Sequence, residues 1–311
     1  MNKSDEPTRG MMVVLATDGS EAADVALDLA ASIEWPQQSV IRLVTAVEPV
    51  EAIMPSTWLP DGAAMDPVDA LAVAAQILEQ GARRLARSGA RIEIAAVRGR
   101  PATQVIGAAS DNDADLIMIG SRGHGQIASM LLGSVSAEVV DHAPCPVLVA
   151  RTPLLTRAIL GVDGSGHARA AEEIVATWSI FAPAAIEVAS VASVGLPWTS
   201  SIALLPEMSS EHHFEIGRRI VDDHRLVAED AAARLVEAGR KATAHVIEGD
   251  PARELVNLAE RVQADLIVVG THGRTGLTRA MLGSVARNVL LHAPCSVLVV
   301  RTEQPEPGDE A

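Results

Sequence analysis

The sequence predicts an α/β protein built from two copies of one domain, each a parallel sheet with helices on both faces. The first observation is a repeat: residues 142–145 (His-Ala-Pro-Cys) recur at 292–295, and residues 114–117 (Ala-Asp-Leu-Ile) recur at 264–267. Such a long period indicates a duplicated domain, because solenoid repeats run about 20 to 50 residues. The second observation is that short apolar runs alternate with amphipathic stretches in each copy, which is typical of a parallel sheet buried on both faces.

The length of 311 residues suits two domains, each large enough to bury its own core. We predict a first domain over residues 10–151 and a second over 156–302, separated beside Pro153, with disordered tails at 1–9 and 303–311. The triplet Asp-Gly-Ser at 18–20 recurs at 163–165, a smaller offset than that of the later motifs, so the second copy carries extra residues after its first helix.

Each copy contains five predicted strands. In the first copy they fall over residues 12–17, 40–46, 91–97, 115–119 and 147–150. The intervening helices follow from helical periodicity, with one apolar face formed by Leu71, Ala74, Leu78, Ala82 and Leu85. Two proline-rich segments, 48–67 and 193–210, do not fit this pattern, and each follows the second strand of its copy. Long loops in this position are either lids or surface segments, and the sequence leaves both open.

Local signals mark several helix ends. Gly89 and Gly239 stand where a left-handed residue ends a helix. Asp250-Pro251 has the composition of an N-cap followed by a first-turn proline, whereas Arg100-Pro101 keeps the proline without the cap. His142 and His292 are expected at helix C-termini, where a histidine contacts the last backbone carbonyls.

Composition excludes several classes of function. The chain has 25 Lys+Arg against 40 Asp+Glu, a net charge of −15, which argues against nucleic-acid or membrane-surface binding. With Phe 2, Tyr 0 and Trp 4, an aromatic platform for stacking bases is excluded. No apolar run is long enough to span a bilayer and residues 1–10 are polar, so we expect a cytoplasmic protein. Cys145 and Cys295 are interpreted as buried apolar residues, since neither has a second zinc ligand nearby.

A glycine pattern after the fourth strand carries the chemical information. Gly120-x2-Gly123 is followed by nine residues and then Gly133-Ser134, and the second copy repeats this spacing without an insertion or deletion. Glycines at the end of a parallel strand let the backbone approach a ligand, and a Gly-Ser pair that opens a helix presents free N–H groups to a phosphate. Two copies in register make this a strong indication of phosphate binding.

Other phosphate-binding motifs are absent. Neither copy has the Walker A pattern, and the only lysines, Lys3 and Lys241, lie outside the glycine-rich loops. A dinucleotide fingerprint also fails, because Asp18 and Asp163 follow the first strand where that motif places glycines. A carboxylate there is poorly suited to phosphates but accepts hydrogen bonds from a ribose hydroxyl or an adenine amine.

The aspartate after the first strand, the Gly-x2-Gly-x9-Gly-Ser loop and the closing Ala-Pro-Cys strand together resemble the universal stress protein family in its tandem two-domain form. The resemblance covers nearly the whole chain. It implies two Rossmann-like domains of the adenine nucleotide alpha hydrolase type, each a doubly wound five-stranded parallel sheet of order 3-2-1-4-5. Members with this glycine pattern bind ATP, so ATP, with Mg²⁺, is the implied ligand.

The resemblance implies a set of nucleotide-binding positions. Asp18 and Asp163 would hold the adenosine, and the backbone of Ala46 and Val191 would meet the adenine edge. The candidate residues in the first copy are Thr17, Asp18, Gly19, Ala46, Gly120, Arg122, Gly123, His124, Gly133, Ser134 and Val135. Those in the second copy are Gly161, Asp163, Val191, Gly270, Gly273, Arg274, Gly283, Ser284 and Val285. Arg122, His124 and Arg274 are included as phosphate neighbours from the sequence itself, with exposed loop residues as the alternative.

No recurring catalytic arrangement is present, and we expect at most a slow ATPase and no metal site. His212 and His213 are adjacent, so on a helix they point about 100° apart, and no further ligand accompanies them. The leading hypothesis is a nucleotide-dependent stress-response regulator or sensor that acts through an unidentified protein partner. The alternatives are an ATP-consuming enzyme and a nucleotide-free interaction scaffold.

Two further expectations concern assembly and the difference between the copies. Family members dimerise through the last strand, so a homodimer and pairing of the two last strands within one chain are both open. Because His124 stands where the second copy has Arg274, the first site is expected to be the weaker one. The longer loop of the second copy is the opposing consideration, since it could shield its own site.

Overall fold

The computed structural model describes residues 9–48, 67–123, 132–193, 210–271, 273 and 282–301. His124, Arg274, most of the two proline-rich segments and nearly all of the predicted tails lie outside the described residues, as do the side chains of His212 and His213.

Each repeat contains five strands and four helices among the described residues. The first repeat comprises β1 Met12–Ala16, α1 Glu21–Ser32, β2 Val40–Val47, α2 Pro67–Leu85, β3 Arg91–Arg98, α3 Pro101–Asp111, β4 Leu116–Gly120, α4 Ser134–His142 and β5 Val147–Ala150. The second comprises β6 Arg157–Gly161, α5 Gly166–Thr177, a short 3-10 helix Ser179–Phe181, β7 Ala185–Ala192, α6 Ser210–Glu237, β8 Lys241–Glu248, α7 Pro251–Val262, β9 Leu266–Gly270, α8 Ser284–His292 and β10 Ser296–Val300. The α/β class and the strand positions predicted for the first repeat are confirmed.

The strands form one sheet of ten, in the order β3-β2-β1-β4-β5-β10-β9-β6-β7-β8. Within each repeat the order is therefore 3-2-1-4-5, as the resemblance implied, and all pairs are parallel. The two five-stranded sheets join into one, because β5 and β10 pair antiparallel with Leu148 opposite Leu298, which is the pairing within one chain that the sequence left open. The backbone N–H and C=O groups at the edges of these two apolar strands therefore pair within the chain. An unpaired edge strand would leave such groups open to association with another chain.

The sheet is buried on both faces by two layers of helices. Side chains of α1, α2, α5 and α6 pack on one face, and side chains of α3, α4, α7 and α8 pack on the other. Successive strand residues alternate between the two layers, since Val13 and Leu15 belong to the first and Val14 and Ala16 to the second. This alternation explains the continuous apolar runs of the strands.

The repeated Ala-Asp-Leu-Ile motif has a structural explanation. Asp115 accepts a hydrogen bond from the backbone N–H of Met12 at 2.8 Å, at the start of β1. Asp265 does the same for Thr156 at 2.8 Å and Arg157 at 3.0 Å, at the start of β6. Each aspartate therefore ties the first strand of its repeat to the fourth.

Most of the predicted helix ends are also confirmed. Gly239 has φ of +82°, which a residue with a side chain rarely adopts, and it lies two residues after the end of α6. Gly89 has φ of +73° but lies four residues after the end of α2 at Leu85, so it belongs to the following turn and does not end the helix. The Asp250 carboxylate accepts from the N–H of Arg253 at 2.9 Å, whereas Arg100 provides no side-chain cap. The imidazoles of His142 and His292 lie 2.9 Å and 2.8 Å from the carbonyls of Glu138 and Asn288 in the preceding helical turn. Among the described residues, no helix is long and apolar enough to cross a membrane.

Both cysteines are free and buried, with 8% and 2% of the surface of Cys145 and Cys295 exposed. Burial raises the pKa of each thiol to about 12. Because the thiolate is the reactive form, we expect neither thiol to react with a disulfide reagent at pH 8 in the folded protein. Two equivalents are expected to react once urea unfolds the chain, and rapid reaction of either thiol before unfolding would contradict the buried interpretation.

Candidate functional site

A cavity of about 490 Å³ opens at the carboxyl ends of β1, β2 and β4 in the first repeat. Every described residue predicted for this site except Gly19 lines it. The lining residues are Ala16, Thr17, Asp18, Ala23, Val44, Ala46, Pro101, Val105, Ile119, Gly120, Arg122, Gly123, Leu132, Gly133, Ser134, Val135 and Ser136. This edge of a doubly wound sheet, where the connections diverge to the two faces, is where such folds bind ligands.

The cavity has an apolar part and a polar part. Val44 and Ala46 from β2 form the apolar part with Val105 from α3. Asp18, Arg122 and the glycine backbone form the polar part. The sequence indicated the polar part and Ala46, but not Val44 and Val105. Their only signal was their position near the carboxyl edge of the same sheet.

The aspartate that follows the first strand is held in the same way in both repeats. One carboxylate oxygen of Asp18 accepts from the N–H of Ser20 at 2.9 Å, and Asp163 accepts from Ser165 at 2.9 Å. The intervening Gly19 has φ of +78°, and its counterpart in the second repeat has φ of +80°. This turn is why Asp-Gly-Ser recurs, since its middle position requires a left-handed conformation.

The second glycine of each loop makes room for that aspartate. A Cβ at Gly123 would lie 2.5 Å from Asp18 Oδ2, and a Cβ at Gly273 would lie 2.8 Å from Asp163 Oδ2. Each carboxylate therefore lies directly against the glycine loop, which joins the two motifs that the sequence separates by about a hundred residues. The sequence indicated close approach of a ligand to these glycines, but not this contact.

The first glycine of each loop has a packing reason. A Cβ at Gly120 would lie 2.5 Å from the carbonyl oxygen of Ala22, at the start of α1. A Cβ at Gly270 would lie 2.7 Å from the carbonyl carbon of His167, at the start of α5. Gly120 also lines the cavity, so its lack of a side chain lets the end of β4 lie between helix α1 and the cavity.

The helices that follow the loops begin without a side-chain cap. Gly133 and Gly283 are the N-cap residues of α4 and α8. Their own N–H groups bind back to the loops, to Ser121 O at 2.8 Å and Thr271 O at 2.7 Å. The first-turn N–H groups, including those of Ser134 and Val135, have no partner within the helix by α-helical geometry. With the positive end of the helix dipole, they suit an anion at the polar end of the cavity.

Arg122 adds a positive charge to the same end. Its side chain is exposed, and it forms no ion pair with the part of the chain that the structure describes. The Ser136 hydroxyl donates to Gly120 O at 2.8 Å and so fixes the loop against α4. An exposed guanidinium beside a hydrogen-bonded backbone is a suitable arrangement for binding a phosphate.

The second repeat keeps this frame with different apolar residues. Val191 and Leu255 stand where the first repeat has Ala46 and Val105. Val191 is buried, whereas Ala46 is half-buried beside the cavity. Gly161 stands where the first repeat has Ala16. A Cβ at Gly161 would lie 3.2 Å from Leu255 Cδ1, so the glycine leaves space for the larger leucine. The side chains at these two positions are larger than in the first repeat, whereas Ala189 is smaller than its counterpart Val44.

The model of the universal stress protein family matches residues 11–151 and again 155–301. The chain belongs to the universal stress protein family. The relationship suggested by the aspartate, the glycine loop and the last strand is therefore confirmed, in its tandem form.

Individual relatives support the same assignment. A universal stress protein of Mycobacterium tuberculosis is 27% identical over 310 residues, which is 93% of this chain and 96% of that protein. A universal stress protein of Methanocaldococcus jannaschii is 42% identical over 113 residues, 36% of this chain, and the match spans only 60% of that protein's length. The crystal structure of a universal stress protein from Archaeoglobus fulgidus has a TM-score of 0.64 at 19% identity, covering 93% of this chain and 98% of that one, which shows a shared fold.

Proposed function

We propose that each repeat binds one adenine nucleotide, ATP with Mg²⁺, and that nucleotide occupancy regulates a stress response through a protein partner. The observation that carries the proposal is the composition of the cavity in the first repeat. An apolar wall, a fixed carboxylate, a glycine loop and an uncapped helix N-terminus meet in one space of about 490 Å³. These are the surfaces that a base, a ribose and a phosphate chain require.

The parts of the nucleotide follow from the chemistry of the walls. The base would lie against Ala46 and Val105, and Asp18 would accept from a ribose hydroxyl. The phosphates would meet the N–H groups at the start of α4, with Arg122 as the countercharge. In the second repeat, the corresponding positions are Asp163, Val191, Gly270, Gly273, Arg274, Gly283, Ser284 and Val285. Mg²⁺ would enter on the phosphates, whose charge it offsets.

The proposed output is recognition of the nucleotide-bound shape by a partner protein. β5 and β10 pair with each other in this chain, so a homodimer would require another surface. The loops that follow the second and fourth strands of each repeat lie nearest in sequence to the proposed sites and are the segments we expect a partner to contact.

The nucleotide content of the purified protein tests the proposal. After denaturation, anion-exchange chromatography of the wild-type protein is expected to yield one to two equivalents of ATP. A Gly123→Glu, Gly273→Glu double variant is expected to yield none. In each repeat the new carboxylate would lie beside the site's own aspartate, Asp18 or Asp163, and would repel the phosphates.

Gly107→Glu is the matched control for the first repeat. It adds the same charge in α3, where a Cβ meets no atom within 4 Å, and we expect it to retain the nucleotide. If the wild-type protein contains no nucleotide and takes up none when ATP and Mg²⁺ are added, the proposal is wrong and the scaffold hypothesis is favoured. Steady release of ADP would instead favour the enzyme hypothesis.

A further inference from the structure

Two arginines cross the boundary between the repeats. Arg151 directly follows β5, and its guanidinium donates to Leu290 O at 2.5 Å and to Cys295 O at 3.4 Å in the second repeat. Arg301 directly follows β10, and its guanidinium donates to Val140 O at 2.9 Å and also to Asp141 O in the first repeat. The exchange is reciprocal, because Arg151 and Arg301 occupy equivalent positions in the two copies.

The acceptors lie at or just beyond the ends of the two helices that begin at the proposed phosphate sites. Leu290 belongs to the last turn of α8, and Val140 and Asp141 to the last turn of α4. The last four carbonyls of an α-helix have no partner within the helix, and each of these helices has only nine residues. Each arginine therefore binds carbonyls that the helix itself leaves without partners. The far end of each helix presents its N–H groups to the site of its own repeat.

The residue before each arginine is bonded to the glycine loop of the arginine's own repeat. Ser121 N donates to Ala150 O at 3.2 Å, and Thr271 N donates to Val300 O at 3.0 Å. A continuous connection therefore runs from the loop of one site, through one strand end and one arginine, to the helix of the other site. A second connection runs in the opposite direction through the other arginine.

We propose that Arg151 and Arg301 couple the two nucleotide sites, so that occupation of either site raises the affinity of the other. This inference rests on the proposed function. A nucleotide that fixes the loop and helix of one site also fixes the arginine that follows the strand end bonded to that loop. It likewise fixes the helix carbonyls that accept hydrogen bonds from the other arginine. The second nucleotide then has less to order when it binds. Coupling between binding sites is reciprocal, and typical values are about 5-fold to 150-fold.

Calorimetric titration of nucleotide-free protein with ATP and Mg²⁺ tests the coupling. Gly273→Glu and Gly123→Glu each close one site and give the affinity of the other site alone. In the wild-type protein, we expect the second nucleotide to bind at least about fivefold more tightly than these single-site values predict. In Arg151→Lys, Arg301→Lys, both sites are expected to bind with their single-site affinities. Lysine keeps the charge but lacks the planar fork that holds two carbonyls.

Arg240→Lys is the matched control. Arg240 donates to the carbonyls of Val175, Ala176 and Trp178, at and beyond the end of α5, but all of these groups belong to one repeat. Its replacement is expected to leave the coupling unchanged. Wild-type sites that bind independently, or coupling that persists in the double lysine variant, would overturn the inference while leaving nucleotide binding intact. Absence of binding in every protein would instead mean that the proposed function is wrong.

Discussion

Gly120→Ala is expected to lower the free energy of unfolding by about 2 to 3 kcal/mol, although it adds only one methyl group. The new Cβ would lie 2.5 Å from Ala22 O and 2.6 Å from Ala22 C. These are backbone atoms of the first turn of α1, so the contact cannot be relieved by turning a side chain. The helix must move away from β4, and the apolar contacts between them weaken. Urea denaturation followed by circular dichroism measures the change.

Gly107→Ala provides a control of opposite sign. Gly107 lies inside α3, and a Cβ there meets no atom within 4 Å. We expect this change to raise the free energy of unfolding by about 0.5 to 1 kcal/mol, because alanine loses less backbone entropy than glycine in a helix. Equal effects of the two substitutions would contradict the packing role assigned to Gly120. A loss in Gly270→Ala similar to that in Gly120→Ala would show that the second repeat depends on the same contact.

The parts of the fold that the sequence predicts are those governed by local chemistry. Apolar runs identify strands that are buried on both faces, and Gly239 and Asp250 mark helix ends through conformational and hydrogen-bonding requirements within a few residues. The pairing of β5 with β10 is different, since two apolar edges can pair within one chain or between chains. The arginine contacts are less predictable still, because Arg151 reaches Leu290 across 139 residues and Arg301 reaches Val140 across 161.

The candidate site divides along the same line. The Asp-Gly-Ser turn and the glycine loop have strict backbone requirements, so their residues recur in both copies and are visible in the sequence. The apolar wall requires only side chains of suitable size, which is why Val44 and Val105 become Ala189 and Leu255 in the second repeat. Gly123 and Asp18 each point to a ligand in the sequence, but their mutual contact depends on β1 and β4 being neighbours in the sheet.

Ala46→Leu is expected to weaken nucleotide binding at the first site by about tenfold to 100-fold, given that overpacking a well-fitted site costs about 1 to 3 kcal/mol. Ala46 ends the apolar wall of the cavity on β2, and the larger side chain would occupy the space proposed for the base. The same change fills an apolar cavity in the nucleotide-free protein. We therefore expect the free energy of unfolding without nucleotide to stay constant or rise by about 1 kcal/mol. A residue needed only for folding would not show weaker binding without a loss of stability.

The comparison is sharpest in protein carrying Gly273→Glu, where only the first site is open. In that background Ala46→Val, which introduces the residue of the second repeat, is expected to have a smaller effect than Ala46→Leu because it adds two carbons instead of three.

With the first site closed by Gly123→Glu, Val191→Ala is expected to tighten binding at the second site, because the shorter side chain leaves more space for a base. If Ala46→Leu leaves the affinity of the first site unchanged, the base does not lie against β2, and the assignment of the apolar wall is wrong. If Val191→Ala also has no effect, any difference in affinity between the two sites originates in the glycine loops, where Arg274 occupies the position of His124.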